Sequence, residues 1–221
     1  MDLFDIIGPV MIGPSSSHTA GAARIGLAAR WILGEEVREA RIGFHGSFAR
    51  THEGHGTDRA ILAGLMGMAV DDPRMRQAME LADQAGMHVE TYTLQLRGAH
   101  PNTVRLDLVG SGGETLELQA ASIGGGSIRI TQLDGLDVDF TGEANTLIIH
   151  HQDMPGTIAV VSSILARDQL NIATMQVYRR KAGGKAVMIL ELDGEPCEET
   201  IGSISGQRGI SSVHYLRKRG D

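Results

Sequence analysis

Apolar residues recur at helical spacing at Ile25, Ala28, Ala29 and Ile32, which predicts an amphipathic helix over 20–33 that stops at Gly34. Over 37–44 apolar residues interleave with Arg38, Glu39 and Arg41, which predicts a strand. The stretch 45–58 is polar, carries Gly46, Gly54 and Gly56 with His45, His52 and His55, and reads as a loop. The apolar run 60–70 predicts a helix capped by Thr57 or Asp58, and Asp71-Asp72-Pro73 opens another that runs to about residue 85 and stops at Gly86. From His88 the period falls to two. Val89, Tyr92, Leu94 and Leu96 mark one strand and 103–109 a second, and the hairpin turn Gly110-Ser111-Gly112-Gly113 leads to a returning strand over 114–121. Strands over 127–131 and 136–140 complete the set, and 3–7 is a short strand or lead-in segment. Helices followed by an antiparallel sheet make an α+β domain.

The pattern changes around Thr141-Gly142-Glu143, which divides the chain into domains 1–143 and 144–221. The second domain reads strand 145–151, helix 155–168, strand 170–178, strand 184–192, helix 197–205, strand 210–216. That βαββαβ order is the split-βαβ, ferredoxin-like arrangement.

A chain of 221 residues with 42% apolar content has room for one or two cores. Aromatic content is only 4%, against 29 Gly and 10 Met, so small residues and Met do much of the packing. The formal net charge of −7 argues against a nucleic-acid partner, and Arg217-Lys218-Arg219 reads as a solvated tail. The single cysteine, Cys197, excludes an intrachain disulfide and an iron–sulfur cluster ligated within this chain. Residues 6–23 carry no formal charge, but their Gly, Pro, Ser and His do not suit a membrane helix, and no charged segment precedes an apolar signal core. The expectation is a cytoplasmic protein with no membrane association.

The chemistry concentrates in Ile12-Gly13-Pro14-Ser15-Ser16-Ser17-His18-Thr19-Ala20-Gly21. Hydroxyls and an imidazole feeding a helix N-terminus suit an anionic ligand, because free N–H groups and the positive end of the helix dipole lie there. A plain N-cap is the competing reading. The His-bearing stretch admits three readings: a zinc site from His45, His52 and His55 with Glu53 or Asp58, a ligand-free surface loop, or a wall of a substrate site. Asp58 either anchors a histidine or caps a helix. His100, extended because it precedes Pro101, either lines the site or forms a turn, and Gly124-Gly125-Gly126 either meets a conformational need or touches ligand.

Gly13-Pro14-Ser15-Ser16-Ser17-His18-Thr19, Phe44-His45-Gly46-Ser47 with Gly54-His55-Gly56-Thr57-Asp58, His100-Pro101-Asn102-Thr103 and Ser122-Ile123-Gly124-Gly125-Gly126 together resemble the beta chain of iron–sulfur-dependent L-serine dehydratase. The remainder resembles the ACT domain that such chains carry, with Met154-Pro155-Gly156 opening its first helix. The resemblance implies an N-terminal fold like the allosteric substrate-binding domain of some phosphoglycerate dehydrogenases, followed by a ferredoxin-like ACT domain. It implies deamination of L-serine to pyruvate and ammonia with an alpha chain that ligates a 4Fe–4S cluster; this chain holds no metal of its own. His18 and His55 would then be catalytic, and Ser15, Ser16, Ser17, Thr19, Asp58, His100 and Asn102 would bind substrate. An amino-acid effector would touch Asp153, Met154, Pro155, Gly156, Asn171 and Ile172 between paired ACT domains, and the chain would dimerise through its ACT or N-terminal domain. Two other classes stay open: a non-catalytic regulatory or assembly subunit, and an independent small-molecule-binding protein.

Overall fold

The computed structural model describes residues 15–218, apart from the side chains of His52, Glu53 and His55. The segment 3–7, the 12–14 part of the hydroxyl-rich motif and Arg219 lie outside the described residues. The chain divides into two compact units, Met1–Thr141 and Gly142–Asp221.

In the first unit a π-helical turn, Ser16–Ala20, runs directly into α1 (Gly21–Leu33). Gly34 ends α1 in the left-handed conformation, φ 75°, with its N–H donated to the Arg30 carbonyl. Then come β1 (Val37–His45), α2 (Gly46–His55), α3 (Thr57–Leu65), a 3-10 turn (Pro73–Gln77), α4 (Ala78–Gln84) and β2 (His88–Leu94). The unit closes with β3 (Thr103–Gly110), β4 (Thr115–Gly124), β5 (Ser127–Leu133) and β6 (Leu136–Phe140). The sheet order is β2-β1-β3-β4-β5-β6.

Three expectations change. The sheet is mixed rather than antiparallel: β1 and β2 pair in parallel, because the helical segment between them is a crossover that returns the chain in the same direction. The stretch 45–58 is mostly the helix α2, fixed by Phe48, which is fully buried, and not a loop. The N-cap of α3 is Gly56, φ 66°, rather than Thr57 or Asp58, and α3 ends at Leu65.

α1 lies over β4 and β5 and packs against α3. Sheet residues that point to this side, among them Ile42, Phe44, Leu106, Leu118 and Ile130, are sealed from water. The opposite side is polar: Arg105 bridges Asp107 at 3.1 Å and Glu117 at 3.4 Å.

The second unit contains β7 (Asn145–Gln152), α5 (Thr157–Arg167), β8 (Ile172–Arg179), β9 (Lys185–Leu192), α6 (Glu198–Ser205) and β10 (Ile210–Leu216). Its antiparallel sheet runs β10-β7-β9-β8, so the βαββαβ reading and its ferredoxin-like order stand. Leu147, Ile149, Met188 and Leu190 of the sheet close a core with Val161, Leu165 and Ile204 of the helices. Among the described residues no helix is long and apolar enough to cross a membrane.

Candidate functional site

Ser15 is extended, φ −138° and ψ 122°, and caps the helical run by accepting the His18 main-chain N–H at 3.2 Å. This tight start turns the imidazole back over the hydroxyls. His18 Nδ1 lies 3.1 Å from Ser17 Oγ and 3.3 Å from Ser15 Oγ, and its Nε2 lies 3.1 Å from Ser47 Oγ. The ring edge rests on Phe48, with centroids 5.3 Å apart and planes at 69°.

Ser47 is held by its own surroundings. Gly46 takes φ 58° and packs so closely on Pro101 that a Cβ would sit 2.5 Å from the Pro101 carbonyl oxygen. The Ser47 N–H donates to that same oxygen at 2.7 Å, and Thr51 Oγ1 donates to the Ser47 carbonyl at 2.8 Å. One residue on, the Asn102 carbonyl accepts the Ser122 N–H at 3.0 Å. Beyond Ser122, β4 turns into β5 through Gly125 and Gly126, φ 59° and 79°, a pair of left-handed residues that suits a type I′ hairpin. Arg24 of α1 donates to the Gly126 carbonyl at 2.5 Å. The motif segments thus form a closed ring of hydrogen bonds: 15–18 to Ser47, Pro101-Asn102 to Ser122, and Gly126 back to α1.

Ser15, Ser16, Ser17 and His18 are half-buried in this ring. Thr19 departs from the substrate-binding expectation: it is buried, and its hydroxyl faces the interior without a hydrogen-bond partner. Asp58 neither caps α3 nor holds a described histidine, since its carboxylate accepts the neighbouring Arg59 N–H at 2.8 Å. His100 is exposed and makes a turn, accepting the Asn102 N–H at Nδ1 (3.1 Å) while its carbonyl accepts the Thr103 hydroxyl (2.6 Å). Asn102 itself reaches the Ser122 carbonyl at 3.5 Å, the outer limit of a hydrogen bond. The side chain of His55 lies outside those described. His45 is drawn to the sheet edge, where Nδ1 accepts the Leu96 N–H at 3.2 Å.

Sequence reading missed the structural part of Ser47 and Arg24. A glycine directly before a serine at a helix start was the local sign for Ser47; nothing near Arg24 announces its partner.

Among the described residues no three His, Cys, Asp or Glu side chains gather as a metal site. Cys197 is exposed in the second unit, where its thiol lies 3.1 Å from Thr200 Oγ1. A cluster needing thiolates does not fit the donors of this chain.

In the second unit Asp153 accepts the Gly183 N–H at 2.8 Å and pairs with Arg179 at 2.5 Å, and these bonds, Gly183 first, hold its carboxyl below the usual range. Asn171 donates to Asp193 at 2.6 Å. Ile172 and Arg179 are the two ends of β8, roughly 23 Å apart at about 3.3 Å per residue; Asp153 pairs at the Arg179 end and Asn171 directly precedes the other.

A family model described as "Serine dehydratase beta chain" matches residues 1–132. The chain belongs to the serine dehydratase beta chain family. It is 45% identical over 211 residues to a protein of Bacillus subtilis named "Probable L-serine dehydratase, beta chain", covering 96% of each chain. It is 35% identical over 214 residues to the "L-serine dehydratase, beta chain" of Peptoniphilus asaccharolyticus, again with 96% of each covered. A shorter match, 35% over 88 residues, joins 40% of this chain to 17% of the D-3-phosphoglycerate dehydrogenase of Bacillus subtilis. Every member of the hydrogen-bonded ring falls within the part that the serine dehydratase beta chain family model covers.

Proposed function

We propose that this chain is the beta subunit of an L-serine dehydratase, an L-serine ammonia-lyase that converts serine to pyruvate and ammonia with an alpha chain. The observation that carries the reading is the ring itself, which sets the hydroxyls of Ser15 and Ser17, and that of Ser47 from the next helix, around His18 at the start of one helical run. Elimination from serine removes the α-proton and the β-hydroxyl, and the carboxylate stays anionic throughout. Uncharged hydroxyls and opening N–H groups of a helix hold a carboxylate without placing a cation beside it. Ser15, Ser16 and Ser17 are assigned to that grip, with Asn102 at the rim, and His18 to proton handling. The 4Fe–4S cluster, which this chain has no thiolates to hold, belongs on this reading to the alpha chain.

Anaerobic co-expression with the neighbouring gene product tests this. Co-purification, brown colour and pyruvate from L-serine are expected, together with a loss of turnover in His18→Ala. A complex that forms and is brown but yields no pyruvate overturns the reading. It would favour a non-catalytic regulatory or assembly subunit, the alternative that the partial match to a phosphoglycerate dehydrogenase supports.

The ACT-like unit is proposed to sense an amino acid, L-serine first. Asp153, Met154, Pro155 and Gly156 lie at one end of β8, and Asn171 and Ile172 at the other. A ligand that touches both sets therefore lies between two copies. Sedimentation of the full chain with and without L-serine checks this, with a shift toward dimer expected.

A further inference from the structure

We propose that Ser47 is the hydroxyl through which His18 exchanges protons, and that it fixes which imidazole nitrogen carries the hydrogen. The inference rests on the dehydratase reading for its chemistry and on the hydroxyls that face both ring nitrogens for the tautomer. Hydroxyls meet both ring nitrogens: Ser17 and Ser15 at Nδ1, Ser47 at Nε2. Phe48, fully buried, backs the ring, so swinging the imidazole outward would break both sets of bonds. A proton can therefore reach Nε2 of His18 over the Ser47 hydroxyl. Ser15 Oγ is already an acceptor, from the His18 main-chain N–H, and lies 3.4 Å from Ser17 Oγ. On this proposal the Ser47 hydroxyl donates to Nε2, and Nδ1–H is then donated to that pair. Ser47 differs from Ser15 and Ser17 in being fixed by a separate segment, through its N–H to Pro101 and its carbonyl to Thr51. A hydroxyl whose main chain is clamped on both sides is placed ahead of any ligand.

The exchange balances simply. A proton arriving at Ser47 Oγ is matched by the Ser47 proton passing to His18 Nε2. Ser47 stays a neutral hydroxyl and the imidazole becomes the cation, with Nδ1–H donated to Ser17 and Nε2–H to Ser47. Reversal returns the proton.

Two measurements test it, one of them independent of activity. Nitrogen-15 NMR of the histidine rings in the beta chain alone is expected to show His18 as the Nδ1–H tautomer in the wild type and a shift toward Nε2–H in Ser47→Ala. In the reconstituted two-chain enzyme, Ser47→Ala is expected to lower kcat about 100-fold, the lower end of general acid–base contributions, with KM changed less than threefold. Its pH profile should lose the limb that His18→Ala also loses. Ser47→Thr, which keeps the hydroxyl, should recover kcat to within about tenfold of wild type and restore that limb, which a merely structural role for Ser47 would not require. An Nε2–H tautomer in the wild type, a tautomer unmoved by Ser47→Ala, or a kcat within twofold of wild type in Ser47→Ala overturns the proposal. If the wild-type complex fails to deaminate serine, the dehydratase reading falls and the NMR arm still decides the part of Ser47.

Discussion

Gly26 of α1 and Gly64 of α3 meet backbone to backbone: a Cβ on Gly26 would lie 3.1 Å from Gly64 Cα, and one on Gly64 would lie 2.9 Å from the Gly26 carbonyl carbon. The helices cross at a distance that no side chain permits. Gly64→Ala would also drive its methyl into the Ala23 carbonyl oxygen. Alanine's better helix propensity, about 1 kcal/mol, does not offset moving two packed helices apart. We expect a net loss of about 1–3 kcal/mol in urea unfolding. Gly54→Ala is the control: it lies within α2 with nothing within 4 Å of the added methyl, and should stabilise by about 0.5–1 kcal/mol.

The β4–β5 hairpin gives a second test. Gly125 holds φ 59°, where a β-branched residue is strained and asparagine is tolerated. Gly125→Val should cost about 1–2 kcal/mol, while Gly125→Asn should remain near wild type, both read by thermal unfolding. In Gly125→Val the displaced turn should also weaken the Arg24 bond to Gly126.

Asp153 makes the β8–β9 hairpin sensitive to acid. Its carboxyl is held below the ordinary carboxylate range, first by the Gly183 N–H and then by Arg179. A group depressed on folding contributes stability that is complete above its unfolded value, about 3.9, and is lost as pH falls through the lower folded value. The protection factor of the Gly183 amide, its exchange relative to the unfolded-chain rate at the same pH, should therefore be high at neutral pH and fall below about pH 4. In Asp153→Asn the protection factor should be lower at neutral pH and insensitive to that range. A wild-type protection factor that stays flat through the acid range would refute this role of Asp153.

Cys197 offers a chemical readout. The Thr200 hydroxyl, followed by the backbone at the start of α6, lowers its thiol from the ordinary value. Alkylation by iodoacetamide should reach half its maximal rate at a pH below that of a free cysteine, about 8.5. Thr200→Val should move the midpoint up.

The two units were not equally legible in the sequence. In the second, each strand alternates or is continuously apolar, and punctuation is sharp: the strand read over 210–216 is β10, Ile210–Leu216. The first helix begins at Thr157 rather than at residue 155 because Gly156, φ 92°, is left-handed and serves as its N-cap, its carbonyl accepting the Val160 N–H at 2.9 Å. In the first unit, α2 has no apolar period to betray it. Among its described side chains it owes its place to the buried Phe48, and to Gly46 against Pro101. Nothing local distinguishes a parallel partner for β1 from an antiparallel one, since both need the same residues on the same face. The hydroxyl run and His18 stood out by composition. Their partners did not, because Ser47 is 29 residues from His18 and Arg24 is 102 from Gly126, and such contacts are set by the sheet's register rather than by neighbouring sequence.

The separation of the two ends of β8 has a further consequence. One copy cannot offer both ends to a molecule the size of an amino acid, so on the proposed reading ligand uptake and chain association are one equilibrium. The concentration at which the ligand acts would then depend on how much of the protein is present. Dilution alone would blunt the response, and a cell could tune its sensitivity by the level at which it makes the chain.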